Sequence, residues 1–298
     1  MALAQSRGQF IRKMDQVTVI SMHASYGFAA ILFLGAAALR MISRAKNPGL
    51  PPALPVGKVS DWFYKRVDLI VVGMIVGFYY LPVIFATIAP EEGKGREITA
   101  PDLIFNMGLQ CFLVALVTAM VIGRIRPVAW LGLNWKQWPR VFFIAPVTVL
   151  TMWVAFAFLY AAGYETLMES LGVQMVQDTV DLFQTTRDMD VLIMMAFTAV
   201  IIAPLCEEVV FRGYLYPALK RFSGPWMGAV VSALFFSAAH GSVATLAPLF
   251  IFGLALVFLY EWTGSIWAPV SAHFLFNAAT VGMQLLVRFG YIPEHMLQ

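Results

Sequence analysis

Eight apolar runs, most of them near the length that crosses a bilayer, divide this chain between Val17 and Val287. They are roughly Val17–Leu39, Val67–Ala89, Leu103–Gly123, Val141–Gly163, Val191–Cys206, Pro225–Ala239, Thr245–Trp262 and Ile266–Val287. A span needs about 20 apolar residues, so eight would take about 160, just over half of the 298 present. The composition agrees: 60% of residues are hydrophobic and 12% charged, against about 25% charged in a soluble domain. The expected fold is all-α, a polytopic membrane protein of about eight transmembrane helices. A soluble enzyme, a disordered regulator and a disulfide scaffold are excluded. The only cysteines, Cys111 and Cys206, both fall in apolar runs, which does not suggest an oxidised framework.

Residues 1–190 then read as an N-terminal four-helix transmembrane region, 191–288 as a second core and 289–298 as a tail. The stretch 164–190 carries six acidic residues among apolar ones and reads as an acidic loop packed over the bundle. The first run is too long for the core of a cleavable signal peptide, so it reads as a retained span. Lys and Arg retained on the cytoplasmic side set the orientation. Thirteen lie after odd-numbered spans, Arg212, Lys220 and Arg221 among them, and seven on the other side. Both termini are therefore expected outside and the Glu207 region toward the cytoplasm. With no organelle address, the expected location is a plasma membrane, that of a bacterium's inner membrane in particular. A net charge of +3 gives no reason to expect nucleic acid.

Charged groups near a bilayer centre cost about 2.5–3.5 kcal/mol even on the lenient scale, so they are functional candidates by default. In the last hundred residues they are few and patterned: Glu207, Glu208 and Arg212; then His240; then His273 and Asn277. Glu208 and Arg212 stand i,i+4 with the acid first, the favourable order for a helical ion pair. Glu207 is turned about 100° away and left free to face the interior. His273 and Asn277 are also i,i+4, so both can enter one cavity. One carboxylate, two imidazoles and an amide suit acyl transfer to water: a base and donors for an oxyanion. The plain structural alternative is that these groups only bond helices together. Two histidines and a glutamate could instead hold a catalytic zinc, although H-E-x-x-H is missing. Cys206 with His240 and Asn277 has the residue types of a cysteine protease. His23 and His295 stand alone and read as packed or solvated. Pro204 is expected to bend the fifth helix. A transporter would show repeats, and none is visible.

The ordered set E-E-x-x-x-R, F-x-x-x-H and H-x-x-x-N, with Phe250-x-x-Gly253 between the last two, resembles the CAAX protease and bacteriocin-processing (CPBP, or Abi) family, which includes the type II CAAX prenyl endopeptidases. The match covers about Val191–Val287. The resemblance implies an intramembrane glutamate endopeptidase of eight helices, with a conical cavity open toward the cytoplasmic side and no cofactor. In it Glu207 and His240 would activate water, His273 and Asn277 would line an oxyanion hole, and Glu208 and Arg212 would support them. The partner implied is a membrane-associated or lipidated peptide. A non-enzymatic role in bacteriocin self-immunity is the rival of a different class.

Overall fold

The computed structural model describes residues 2–47, 57–88, 98–173 and 178–293. The expectations for His295 and the end of the tail lie outside these residues. Helices dominate, and no strand occurs among the described residues. They are α1 (Ala2–Lys46), α2 (Arg66–Ile88), α3 (Ala100–Ile122), α4 (Val141–Ala161), α5 (Tyr164–Ser170), α6 (Asp178–Thr185), α7 (Met189–Ser223), α8 (Pro225–Ala238), α9 (Val243–Thr263) and α10 (Trp267–Arg288). Among the described residues, seven contain stretches long and apolar enough to cross a membrane, and the sixth apolar run forms the shorter α8 of 14 residues. Large apolar side chains such as Ile31, Phe85, Phe142 and Phe158 stand exposed on their flanks, where only a lipid solvent makes them cheap.

The fifth run is short because its helix continues into polar sequence, as its length suggests: α7 runs on through Glu207, Glu208 and Arg212 to Ser223. Two other expectations change. Arg212 and Lys220 are buried in that helix, so neither is a loop cation, and Arg221 belongs to the same helix. The sixth run forms α8 close to its expected bounds: it starts after Gly224, whose φ of 95° only glycine adopts cheaply, and stops before the turn carrying His240. The acidic stretch is not a plain loop but two short helices, α5 and α6. Tyr164 donates its hydroxyl to the carbonyls of Val243 and Ala244. Arg288 donates to the carbonyls of Phe183 and Thr186. These bonds fasten both helices over the end of the bundle.

Small residues set how closely the later helices pack, as expected where lipid gives no hydrophobic drive. A Cβ on Gly228 of α8 would lie 2.7 Å from the Lys220 backbone nitrogen of α7. A Cβ on Gly253 of α9 would lie 3.1 Å from that of Ala233 of α8. His23 joins α1 to α2 through the Tyr80 and Thr87 hydroxyls, a packing role as its isolation in the sequence suggested.

Candidate active site

Helix α7 carries the site, and two prolines shape it. Near Pro204 the helix widens into a π turn over Thr198–Ile202, with the Ala203 N–H bonded to the Thr198 carbonyl. The Ala199 carbonyl thereby loses Ala203, and one residue further on Pro204 has no N–H to offer. Asn277 of α10 supplies the missing donor: its Nδ2 lies 2.8 Å from the Ala199 oxygen. The expected bend at Pro204 is thus absorbed by a π turn, a usual remedy at functional sites, and α7 runs on.

A second π segment spans Glu208–Leu215. Here Pro217 deprives the Gly213 carbonyl of its ordinary i+4 partner. Tyr64 donates its hydroxyl to that oxygen at 2.7 Å and Trp130 its indole N–H at 2.8 Å. Burial raises the Tyr64 phenol pKa well above its ordinary value, so it stays a donor. A Cβ on Gly213 would lie 2.8 Å from the Leu131 side chain, which is why the Tyr64, Trp130 and Leu131 cluster can approach. Nothing in the order of the first 190 residues marks these side chains as part of the site's support.

Glu208 is fully buried and receives two donors on one oxygen, Arg212 Nη1 at 2.7 Å and His273 Nδ1 at 2.8 Å. The expected Glu208–Arg212 pair is present, and it also holds His273, a contact across 65 positions that spacing could not reveal. Arg212 lies with its guanidinium 4.1 Å above the Phe236 ring and bonds the Gly253 carbonyl at 3.4 Å. That bond gives the Phe250-x-x-Gly253 element its place here: glycine lets the backbone come close enough to serve Arg212.

Phe236 is the hub of the cluster. His240 and His273 both set their rings edge-on against it, at centroid separations of 4.9 and 5.8 Å. His240 lies in the turn after α8 and shares its Nδ1 proton with the Phe236 carbonyl at 2.8 Å, leaving Nε2 with the lone pair. His273 Nε2 faces Glu207 Oε2 at 4.0 Å. That carboxylate oxygen is buried and has no hydrogen-bond partner. Glu207, Glu208, Arg212 and His273 therefore form one contiguous group with His240 beside it. Asn277 stands one turn beyond His273 with one of its two N–H groups committed to Ala199. Among the described residues no three His, Cys, Asp or Glu side chains are placed to hold a metal ion. Cys206 is half-buried beside Glu207.

A family model described as type II CAAX prenyl endopeptidase Rce1-like matches residues 189–279. The chain is 29% identical over 105 residues to the putative membrane peptidase YdiL of Bacillus subtilis, covering 35% of this chain and 43% of that protein. It is 27% identical over 221 residues to the membrane-embedded CAAX protease MroQ of Staphylococcus aureus, covering 70% and 84%. An uncharacterized 24.3 kDa protein of Escherichia coli is 35% identical over 96 residues, 30% and 43% of the two chains. The matches to the Bacillus and Escherichia proteins thus span under half of each relative. No solved structure matches. The matched stretch runs from the start of α7 past Asn277 and contains all six polar residues singled out above; over that third of the chain these likenesses support assignment to the CAAX protease and bacteriocin-processing family.

Proposed function

We propose that this protein is an intramembrane endopeptidase in which Glu207 is the base that activates water. The observation that carries the reading is the buried, unpartnered Glu207 oxygen 4.0 Å from His273 Nε2. Native proteins rarely leave such a group unsatisfied without a use for it, and one water can bridge a separation of this size. Glu207 takes the proton of that water as the oxygen attacks a peptide carbonyl, then returns it to the departing amine. Neutral His240, with its free Nε2, accepts a hydrogen bond from the same water and orients it.

His273 suits a donor role: its Nδ1 is held by Glu208 at 2.8 Å and its Nε2 faces the Glu207 oxygen at 4.0 Å, where a developing oxyanion would stand. The second N–H of Asn277 is a further donor. Glu208 and Arg212 hold His273 in place and touch no substrate. The substrate is a membrane-associated or lipidated peptide, a prenylated C-terminus of the CAAX type being the first to test, and the reaction requires no metal.

Glu207→Gln keeps size and hydrogen bonding and removes the base. Under single-turnover conditions, with a prenylated C-terminal peptide and its unprenylated twin as substrates, it should cleave about 10²–10⁴-fold more slowly than wild type. Wild-type rates in this variant would refute the glutamate mechanism. Cleavage abolished by a chelator and restored by zinc would return the metal alternative, and inactivity of Cys206→Ala would return the thiol.

A further inference from the structure

A cavity of about 750 Å³ opens beside the catalytic helices without touching the catalytic side chains. Its walls include Pro204 and Leu205 of α7, Val270 and Phe274 of α10, and Leu133 and Val141 at the entry to α4. Glu207, His240, His273 and Asn277 do not line it. The volume is in the range of ordinary small-molecule sites, and the walls are apolar.

Trp135, Trp138 and Trp267 line the same cavity together with Lys136; indoles of this kind settle at the level of lipid headgroups. Trp135 also borders two neighbouring hollows, one lined by Arg126 and the other by Lys58 and Arg140. No acidic side chain lines any of the three. Lys136, Arg126 and Arg140 are exposed and form no ion pair among the described residues. The groove is therefore mainly apolar, with Lys136 in its lining and further cations in the hollows that share Trp135 with it.

We propose that this groove holds an anionic phospholipid, one acyl chain lying against Pro204, Leu205 and Phe274 and the phosphate among Lys136, Arg140 and Arg126. The charge complementarity decides the occupant: basic pockets between helices near the membrane surface take anionic headgroups, whereas a zwitterionic lipid gains little from three unopposed cations. The site adjoins the turns of α7 and α10 that precede Glu207 and His273. None of Glu207, His240, His273 and Asn277 lines it, so its lipid can remain while a peptide occupies the reaction cavity.

Native mass spectrometry of the full chain, released from mixed micelles of phosphatidylglycerol and phosphatidylcholine, reads the bound lipid directly. Wild type should retain phosphatidylglycerol in roughly hundredfold preference, as expected for three cations at a headgroup. Lys136→Glu with Arg140→Glu, both on exposed positions, should bring that preference to parity. Ser271→Phe, which fills the groove from α10, should reduce retention of both lipids. Equal retention of the two lipids by wild type, or an unchanged preference in the charge-reversed protein, would overturn the proposal. So would displacement of phosphatidylglycerol by a prenylated peptide, because the groove would then belong to the substrate. The readout is bound lipid, so the outcome is independent of whether the chain cleaves peptides.

Discussion

Glu207 and Glu208 are neighbours in sequence with opposite duties. Glu208 accepts from Arg212 and His273 on one oxygen, its other oxygen buried without a partner; Glu207 Oε2 is also buried without a partner and faces His273 Nε2 only at 4.0 Å. Removing one member of a buried ion pair strands the other and costs about 3–5 kcal/mol. Arg212→Ala should therefore lower the melting temperature in detergent clearly, while Glu207→Gln leaves it near the wild-type value. Equal melting of the two variants would contradict this division. The division itself is legible in the sequence, because i,i+4 spacing with the acid first names Arg212 as the partner of Glu208. That Glu208 also fixes His273 is not legible. The two stand 65 positions apart, and no periodicity reports which of two adjacent carboxylates a distant imidazole will meet.

At the scale of elements, apolar run length located the helices because lipid demands continuous apolar stretches with internally satisfied backbone. Run length is blind to how a helix winds. The π segments Thr198–Ile202 and Glu208–Leu215 shift the register around the site, and Pro204 and Pro217 leave carbonyls that other helices must serve. Asn277 consequently has a structural duty of its own, beside the catalytic one proposed for it. Asn277→Ala should lose activity, and it should also destabilise the fold by about 1–3 kcal/mol through the unsatisfied Ala199 carbonyl. The link to Pro204 can be isolated with a double-mutant cycle. Pro204→Ala restores an N–H next to that carbonyl, so Asn277→Ala should cost measurably less stability in the Pro204→Ala background than in wild type. Strictly additive unfolding free energies would mean that Asn277 serves Ala199 for some reason other than the missing proline donor.

Across the whole molecule, the first four long helices read in sequence as a plain transmembrane region, yet polar bonds join them to the matched segment. Buried Asp68 of α2 takes the Tyr214 hydroxyl on one oxygen and Arg124 on the other. Tyr64 and Trp130 hold the Gly213 carbonyl. Glu261 at the end of α9 accepts from Lys220, Tyr216 and the Val59 N–H, and Lys220 also donates to the Val59 carbonyl. Such contacts escape a reading by motif because a tyrosine or tryptophan serving a backbone oxygen leaves no pattern of residue types. In lipid they matter more than apolar contact area, since lipid tails replace a lost apolar neighbour at little cost and cannot replace a lost donor. Residues 189–298 expressed alone should therefore give no monodisperse, cooperatively melting species in detergent. Co-expressed with residues 1–188 as a second chain, they should copurify with it, and Tyr64→Phe together with Trp130→Phe in that partner should weaken recovery. A lone 189–298 segment melting like the full chain would show that the site supports itself, and that the clamp on Gly213 is incidental to it.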